Sequence, residues 1–238
     1  MRKKTIEFPK CETCPKRTAS VFCDLSEEEV ETISVNKGCN FYKRGQNLFS
    51  EGSRAIGIHC IYEGKVKLTK LGIDGKEQIV KIVSGGDVLG YNSLLSQMPY
   101  NVSAEALDDA VVCFLPTSTF SELLDENKDF PRKMMQIMAH DTQDMEKRLT
   151  NWMQKSVRER LAEVLLLLHS RYQDKEKPQI IDVRLSREEI ANLVGTATES
   201  AIRYLSELNT DKIIELKGKQ IKILDKEKLI RTANIESV

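Results

Sequence analysis

Six cysteines and one Glu/Arg pair are the residues of this 238-residue chain whose types and spacing can do chemistry. Cys11, Cys14 and Cys23 form a Cys-x2-Cys-x8-Cys run near the start; Cys39, Cys60 and Cys113 follow singly. Thiolates ligate soft metals and exchange disulfides, and buried thiols act as small apolar groups. Three roles therefore stand open for them: core packing, metal binding or redox chemistry. His59, His140 and His169 show no spacing that would pair them as ligands.

The second constellation is Glu199 and Arg203. Residues four apart share one face of a helix. Arginine grips guanine O6 and N7 with two bonds, and glutamate accepts from cytosine N4. On the same helix Thr198 can reach base edges, and Ile202 offers apolar contact suited to a thymine methyl. Thr196, Ser200, Lys217 and Lys219 are candidates for phosphate contacts. The competing reading makes Glu199 a cap for Thr196 and a surface partner of Arg203, which would be worth little.

The elements that must position these residues can be read from local signals. Ser26 and Glu29 form a capping box that predicts a short helix over 26–35. From about 38 to 116, turn signals recur roughly every ten residues, at Arg44-Gly45, Glu51-Gly52, Glu63-Gly64, Asp74-Gly75, Gly85-Gly86 and Met98-Pro99, which predicts an all-β barrel or jelly roll. Within it 65–71 and 77–83 are strands joined at Asp74-Gly75. Helical periodicity follows over 117–124, 131–153 and 158–172, and a polar linker with Pro178 over 173–179. Ser186 and Glu189 then start a helix over 187–194, Gly195 breaks it, and Thr196 or Thr198 opens another to about Leu208. Two alternating runs around Lys217-Gly218-Lys219 make a hairpin over 213–224. Two helices across a tight turn followed by a hairpin are a winged helix-turn-helix. The expected fold is α+β, with a cysteine-bearing segment (1–25), a β-roll (26–130), a long helix (131–155) and the winged unit (156–238).

Composition narrows the function classes. Lys+Arg and Asp+Glu both number 36, so no broad basic field attracts nucleic acid. From 179 to 238 the count is again even, 10 against 10. A DNA-binder of this composition must rely on a few placed contacts, doubled by dimerisation. The start MRKKTIEFPK has no apolar stretch behind its basic residues, as a secretory signal would. The longest apolar runs, 110–115 and 164–168, fall far short of the roughly 20 residues a membrane span needs. A cytoplasmic protein without a membrane partner is expected, where stable disulfides are rare. No P-loop, nucleophile elbow, HExxH or paired catalytic carboxylates argue for an enzyme.

With these pieces in order, the chain resembles the CRP/FNR family of bacterial transcription regulators. The resemblance rests on NLFSEGSRAIGIHCIYEGKVKL (47–68), GGDVLGYNSLL (85–95), the helical block 131–172 and LSREEIANLVGTATESAIRYLSEL (185–208). It implies a cyclic-nucleotide-binding-type β-roll, a dimerisation helix and a homodimer. It also implies a palindromic duplex-DNA target and RNA polymerase as partner. Glu199 and Arg203 stand in the family's E-x-x-x-R pattern, which implies a TGA-like half-site core; Ile202 replaces the usual Ser or Gly. The family's cyclic-nucleotide ligands are a Glu after the Gly90 equivalent and an Arg before the Ser103-Ala104 equivalent. Here Tyr91-Asn92 and Val102 stand there, so cAMP is not expected: its phosphate would sit unpaired.

The cysteine pattern resembles the oxygen-sensing branch of the family. That resemblance implies a [4Fe–4S] cluster on Cys11, Cys14, Cys23 and Cys113, since such clusters take four thiolates. The x8 gap departs from the family's shorter spacing, with Cys39 as a substitute ligand and Cys60 assigned to the core. Zinc, a dithiol switch, a small-molecule or haem effector, and a ligand-free regulator are the other readings.

On the long helix, Met134, Met138, Met145, Leu149 and Trp152 fall at spacings of three, four or seven, a seam for a two-helix coiled coil. Asp141 falls within it. Either a slight rotation of the helix leaves it in solvent, or it weakens the dimer until a signal strengthens it.

Overall fold

The computed structural model of the protein describes residues 8–174 and 176–235. It divides into two compact units. One holds the described residues up to Lys76 together with Val80–Gln143; the other holds Glu77–Ile79 and the described residues from Asp144 onward.

In the first unit the Ser26–Glu29 box forms as its spacing implies. The Ser26 hydroxyl accepts from Glu29 N–H, the Glu29 carboxylate accepts from Ser26 N–H, and helix α1 (Glu27–Asn36) follows. The punctuated region then yields β1 (Gly38–Tyr42), β2 (Asn47–Phe49), β3 (Gly57–Glu63), β4 (Lys65–Leu71), β5 (Glu77–Ser84), β6 (Val88–Leu89), a short helix α2 (Tyr91–Leu95), β7 (Ser103–Ala106) and β8 (Ala110–Pro116). The eight strands make two four-stranded sheets, ordered β1-β8-β3-β6 and β2-β7-β4-β5. Ile61, Leu89 and Val112 of the first sheet pack with Phe49, Val66 and Ala104 of the second, so the two share one core. This is the expected β-roll.

The outer face of the first sheet is also covered. Ile58 and Leu115 pack with Val21 and Phe22 of the N-terminal segment, with Ile33 of α1, and with Phe120 and Leu123 of α3 (Thr117–Glu126). Phe130 and Met134, at the start of the long helix α4 (Phe130–Gln154), complete that cluster. Period-2 alternation along β3 places Ile58 and Cys60 on this outer face and His59 and Ile61 on the inner one. The N-terminal cysteine segment thus lies against the sheet face that carries the strand cysteines.

The second unit continues with α5 (Val157–Arg171), opened by a Ser156–Glu159 capping box. Then come β9 (Ile180–Ile181), α6 (Arg187–Val194), α7 (Thr198–Thr210), β10 (Ile214–Lys217), β11 (Gln220–Ile223) and α8 (Lys226–Thr232). Its buried side chains include Leu161, Leu165, Ile190, Val194, Leu205, Leu208, Ile214 and Leu229. The hairpin turns at Gly218, whose φ of +60° suits glycine. β9, which follows directly on the segment read as a linker (173–179), pairs with β11 as a third strand. Among the described residues no helix is long and apolar enough to cross a membrane.

Candidate nucleic-acid interface and cysteine site

The helix-turn-helix is built by local chemistry. Ser186 Oγ accepts from Glu189 N–H at 3.0 Å, and the Glu189 carboxylate accepts from Ser186 N–H at 2.7 Å. Gly195 ends α6 in the left-handed region at φ +72°, a conformation strained for any other residue. The chain turns and α7 begins at Thr198, with Ala197 as its N-cap and no side-chain cap. Thr196 therefore caps nothing, and Glu199 is not its partner. Ala201, Leu205 and Leu208 of α7 are buried, as are Leu193 and Val194 of α6.

The opposite face of α7 is open. Glu199, Ile202 and Arg203 are exposed, and Thr196, Thr198 and Ser200 are half-buried. Ile202 keeps 44 % of its surface exposed, a wasteful placement for an isoleucine with no outside partner. No ion pair joins Glu199 to Arg203 among the described residues; the Arg203 guanidinium lies over the Tyr204 ring, 4.7 Å from its centroid. Both side chains thus remain available to outside partners. Lys217 and Lys219 are exposed at the hairpin tip, Lys217 with Glu215 at 3.0 Å. One contact had no signal in the sequence: Arg187, in the first turn of α6, donates to the Gly218 carbonyl at 3.0 Å and ties the wing to that helix. The arrangement is a short exposed helix edge beside a tethered wing, the geometry that enters a major groove.

The cysteines divide unequally. On β1, β8 and β3, Cys39 stands opposite Cys113 and Cys113 opposite Cys60, in one row across three strands. Cys39 Sγ lies 2.7 Å from Cys113 Sγ. Cys11, Cys14, Cys60 and Cys113 line one cavity, with Lys37 and Arg17 at its wall. Arg17 Nε donates to the Cys11 carbonyl at 3.2 Å and holds the N-terminal turn in place. Cys23 is not at that cavity: its sulfur meets Lys133 Nζ at 3.1 Å, and Lys133 also pairs with Asp24. Phe22, stacked on Phe130, still lines the cavity, and the next residue, Cys23, does not. The structure thus brings together three of the four expected ligands. It adds Cys60, read from the sequence as core, and seats Cys39 beside Cys113. Among the described residues, no group of three His, Cys, Asp or Glu side chains is gathered closely enough to hold a metal ion as it stands.

Electrostatics at this cavity oppose free thiolates. Burial pushes Cys60 up to about 12. Burial, and then the Cys39 hydrogen bond, raise Cys113; burial also raises Cys11, against the pull of Lys37. Burial works against the Lys37 charge as well, but the surrounding Cys113, Cys11 and Cys39 sulfurs outweigh it and hold the ammonium above the ordinary lysine range. A soft metal entering here would displace thiol protons, and Lys37 would offset part of the resulting negative charge. The donor set therefore fits a thiolate-bound iron–sulfur group in kind.

The remaining expected residues lie on or beside α4. Met134 is 2 % exposed, inside the β-roll core, and does not belong to a seam. Asp141 is neither in the seam nor free in solvent: it accepts from Lys81 Nζ at 2.6 Å and from the Tyr91 hydroxyl. Phe130, Met134, Ile137 and Asp141 form the face of α4 turned to its own unit. Met138, Met145, Leu149 and Trp152 stay exposed, joined by Met135 and Met153. The two faces are offset by roughly 100° around the helix, one residue's rotation. Burial and then the Asp141 contact push the Tyr91 phenol up, which keeps it a donor. Beside Val102, which stands where the family's arginine would, the Ser103 hydroxyl accepts from Glu51 N–H at 2.9 Å.

Comparison with known proteins agrees with both units. Residues 39–127 match the cyclic nucleotide-binding domain, and residues 159–232 match the Crp-like helix-turn-helix domain. The transcriptional activator protein Anr of Pseudomonas aeruginosa is 25 % identical over 217 residues, covering 90 % of this chain and 88 % of that protein. The fumarate and nitrate reduction regulatory protein of Vibrio cholerae is 24 % identical over 227 residues, covering 94 % and 90 %. Among solved structures, FixK2 from Bradyrhizobium japonicum superposes with a TM-score of 0.76 at 24 % identity, covering 84 % of this chain and 99 % of that one. The two sequence relatives are by name a transcriptional activator and a regulatory protein. A β-roll and a winged helix-turn-helix, each in its matched position, place the chain in the CRP/FNR family of transcription regulators.

Proposed function

We propose that this regulator is a homodimer that reads a palindromic promoter site through Glu199 and Arg203 and responds to oxygen or redox state through a [4Fe–4S] cluster at the cysteine cavity. The observation that carries the signal assignment is the convergence of Cys11, Cys14, Cys60 and Cys113 on one cavity with Lys37 at its wall. Bound there, such a cluster supplies a redox- and oxygen-labile group. Cys11, Cys14 and Cys113 would hold it, and Cys23 is the fourth ligand that the family resemblance implies. The cavity itself favours a second reading, in which Cys60 takes that place. Arg17 positions the Cys11 turn, and Lys37 balances charge. On DNA, Arg203 grips a guanine, Glu199 accepts from a cytosine, and Lys217 and Lys219 meet phosphates, with Thr196, Thr198 and Ser200 along the helix edge. RNA polymerase is the expected partner at the promoter.

The test is purification without oxygen, followed by the visible spectrum with iron and sulfide analysis. A brown protein with about four irons per chain, the count of a [4Fe–4S] cluster, supports the proposal, and loss of colour in Cys23→Ser or Cys60→Ser identifies the fourth ligand. A colourless, iron-free protein that still binds its site would instead make this a regulator without a cluster, governed by thiol redox, a small molecule or no effector.

A further inference from the structure

We propose that Cys39 and Cys113 form a reversible disulfide, and that this bond withdraws Cys113 from any metal-binding duty. Cys39 has no part in the ligand set proposed above, yet its sulfur sits 2.7 Å from that of Cys113. The two residues are direct partners in the antiparallel pairing of β1 with β8. Directly opposed antiparallel residues have Cα atoms about 4.5 or 5.5 Å apart, and both values fall inside the roughly 4.4–6.8 Å span of protein disulfides. No backbone movement is needed to close the bond. Cys60 is the opposite partner of Cys113 on β3, so Cys113 has two candidate neighbours, and Cys39 is the one whose sulfur is already in contact.

Position in the sheet favours the chemistry. β1 is an edge strand of its sheet, and both Cys39 and Cys113 keep part of their surface exposed to an oxidant. A hydroperoxide is the oxidant class required. The Cys39 sulfur attacks one peroxide oxygen; the O–O bond breaks, and water leaves with a sulfenic acid on Cys39. The Cys113 sulfur then attacks the Cys39 sulfur, the S–O bond breaks, and a second water departs as the S–S bond forms. Two thiols and one hydrogen peroxide thus become one disulfide and two waters. The disulfide would hold Cys113 out of the cavity until a dithiol reductant returns it. The withdrawal of a ligand rests on the cluster reading; the disulfide does not.

The full-length protein, prepared metal-free and reduced, is treated with one equivalent of hydrogen peroxide, alkylated and mapped by peptide mass spectrometry. A Cys39–Cys113 linkage, two hydrogens lighter than the reduced pair and reversed by dithiothreitol, is the expected result. In parallel, iron and sulfide uptake is followed by visible absorbance. Peroxide-treated wild type should lose most of its uptake and regain it with dithiothreitol, while Cys39→Ser keeps its uptake through the same treatment. Reduced protein that takes up no iron but still forms the linkage refutes the cluster reading and leaves the disulfide standing. A linkage of Cys113 to Cys11, Cys14 or Cys60, or both thiols remaining open to alkylation, overturns the proposal.

Discussion

Arg203 and Glu199 stand one helical turn apart on the open edge of α7, with no ion pair between them to break before they meet a base. Arg203→Ala should therefore lose about 1–3 kcal/mol of discrimination at one guanine, while weakening binding to unrelated duplex far less. Competition between the site and its guanine-substituted variant reads this directly. These residues were legible in the sequence because capping boxes, a turn glycine and a four-residue spacing are local signals. The Arg187–Gly218 tether was not, because it joins residues 31 apart whose proximity only the folded unit creates.

His59 carries a second prediction at this scale. It is buried among Phe49, Tyr100 and Phe114, and its Nδ1 has no hydrogen-bond partner among the described residues. Burial lowers its pKa from the ordinary 6.5 to about 4. Below pH 6.5 the unfolded chain binds a proton that the native chain refuses. Stability is thus fully present above 6.5 and lost as pH falls through about 4, by on the order of 3 kcal/mol from this group. Denaturant unfolding of the metal-free protein between pH 7 and 4 should show this slope, and His59→Leu should flatten it.

At the scale of elements, α4 shows how far periodicity reaches. Spacings of three, four and seven from Met134 fit two faces one residue's rotation apart, and the sequence alone does not choose between them. The choice is made by Phe130 and Met134 packing under the β-roll and by Asp141 meeting Lys81 and Tyr91. Asp141→Ala would leave the buried Tyr91 hydroxyl and the half-buried Lys81 ammonium without this acceptor. It should lower thermal stability by about 1–3 kcal/mol and leave the monomer–dimer constant little changed. A tightened dimer at unchanged stability would restore the seam reading. The cysteine row has the same origin. Cys39 and Cys113 are 74 residues apart, and only the register of β1 on β8 sets them opposite each other. Register depends on sheet pairing that no local pattern in either strand specifies. β9, two residues long, is likewise defined by pairing alone.

At the scale of the whole molecule, the balance of 36 basic against 36 acidic residues leaves one unit few phosphate contacts, which the proposed dimer would double. Met145 and Leu149, 70 % and 58 % exposed on α4, are the natural place for a second copy to pack. Leu149→Glu should leave the unfolding of each unit unchanged, shift sedimentation equilibrium to the monomer, and weaken binding to a palindromic site at least about tenfold, or about 1.4 kcal/mol.

If an oxygen-labile group at the cysteine cavity governs the reading helix, one titration reads both together. Protein prepared without oxygen is added to a labelled duplex bearing two TGA-like half-sites about one turn apart, and anisotropy is recorded before and after exposure to air. Tight binding should weaken as the visible absorbance bleaches, with both losses absent from a Cys113→Ser protein that never gains colour. Affinity that is the same before and after air, in a protein that does bleach, would contradict it.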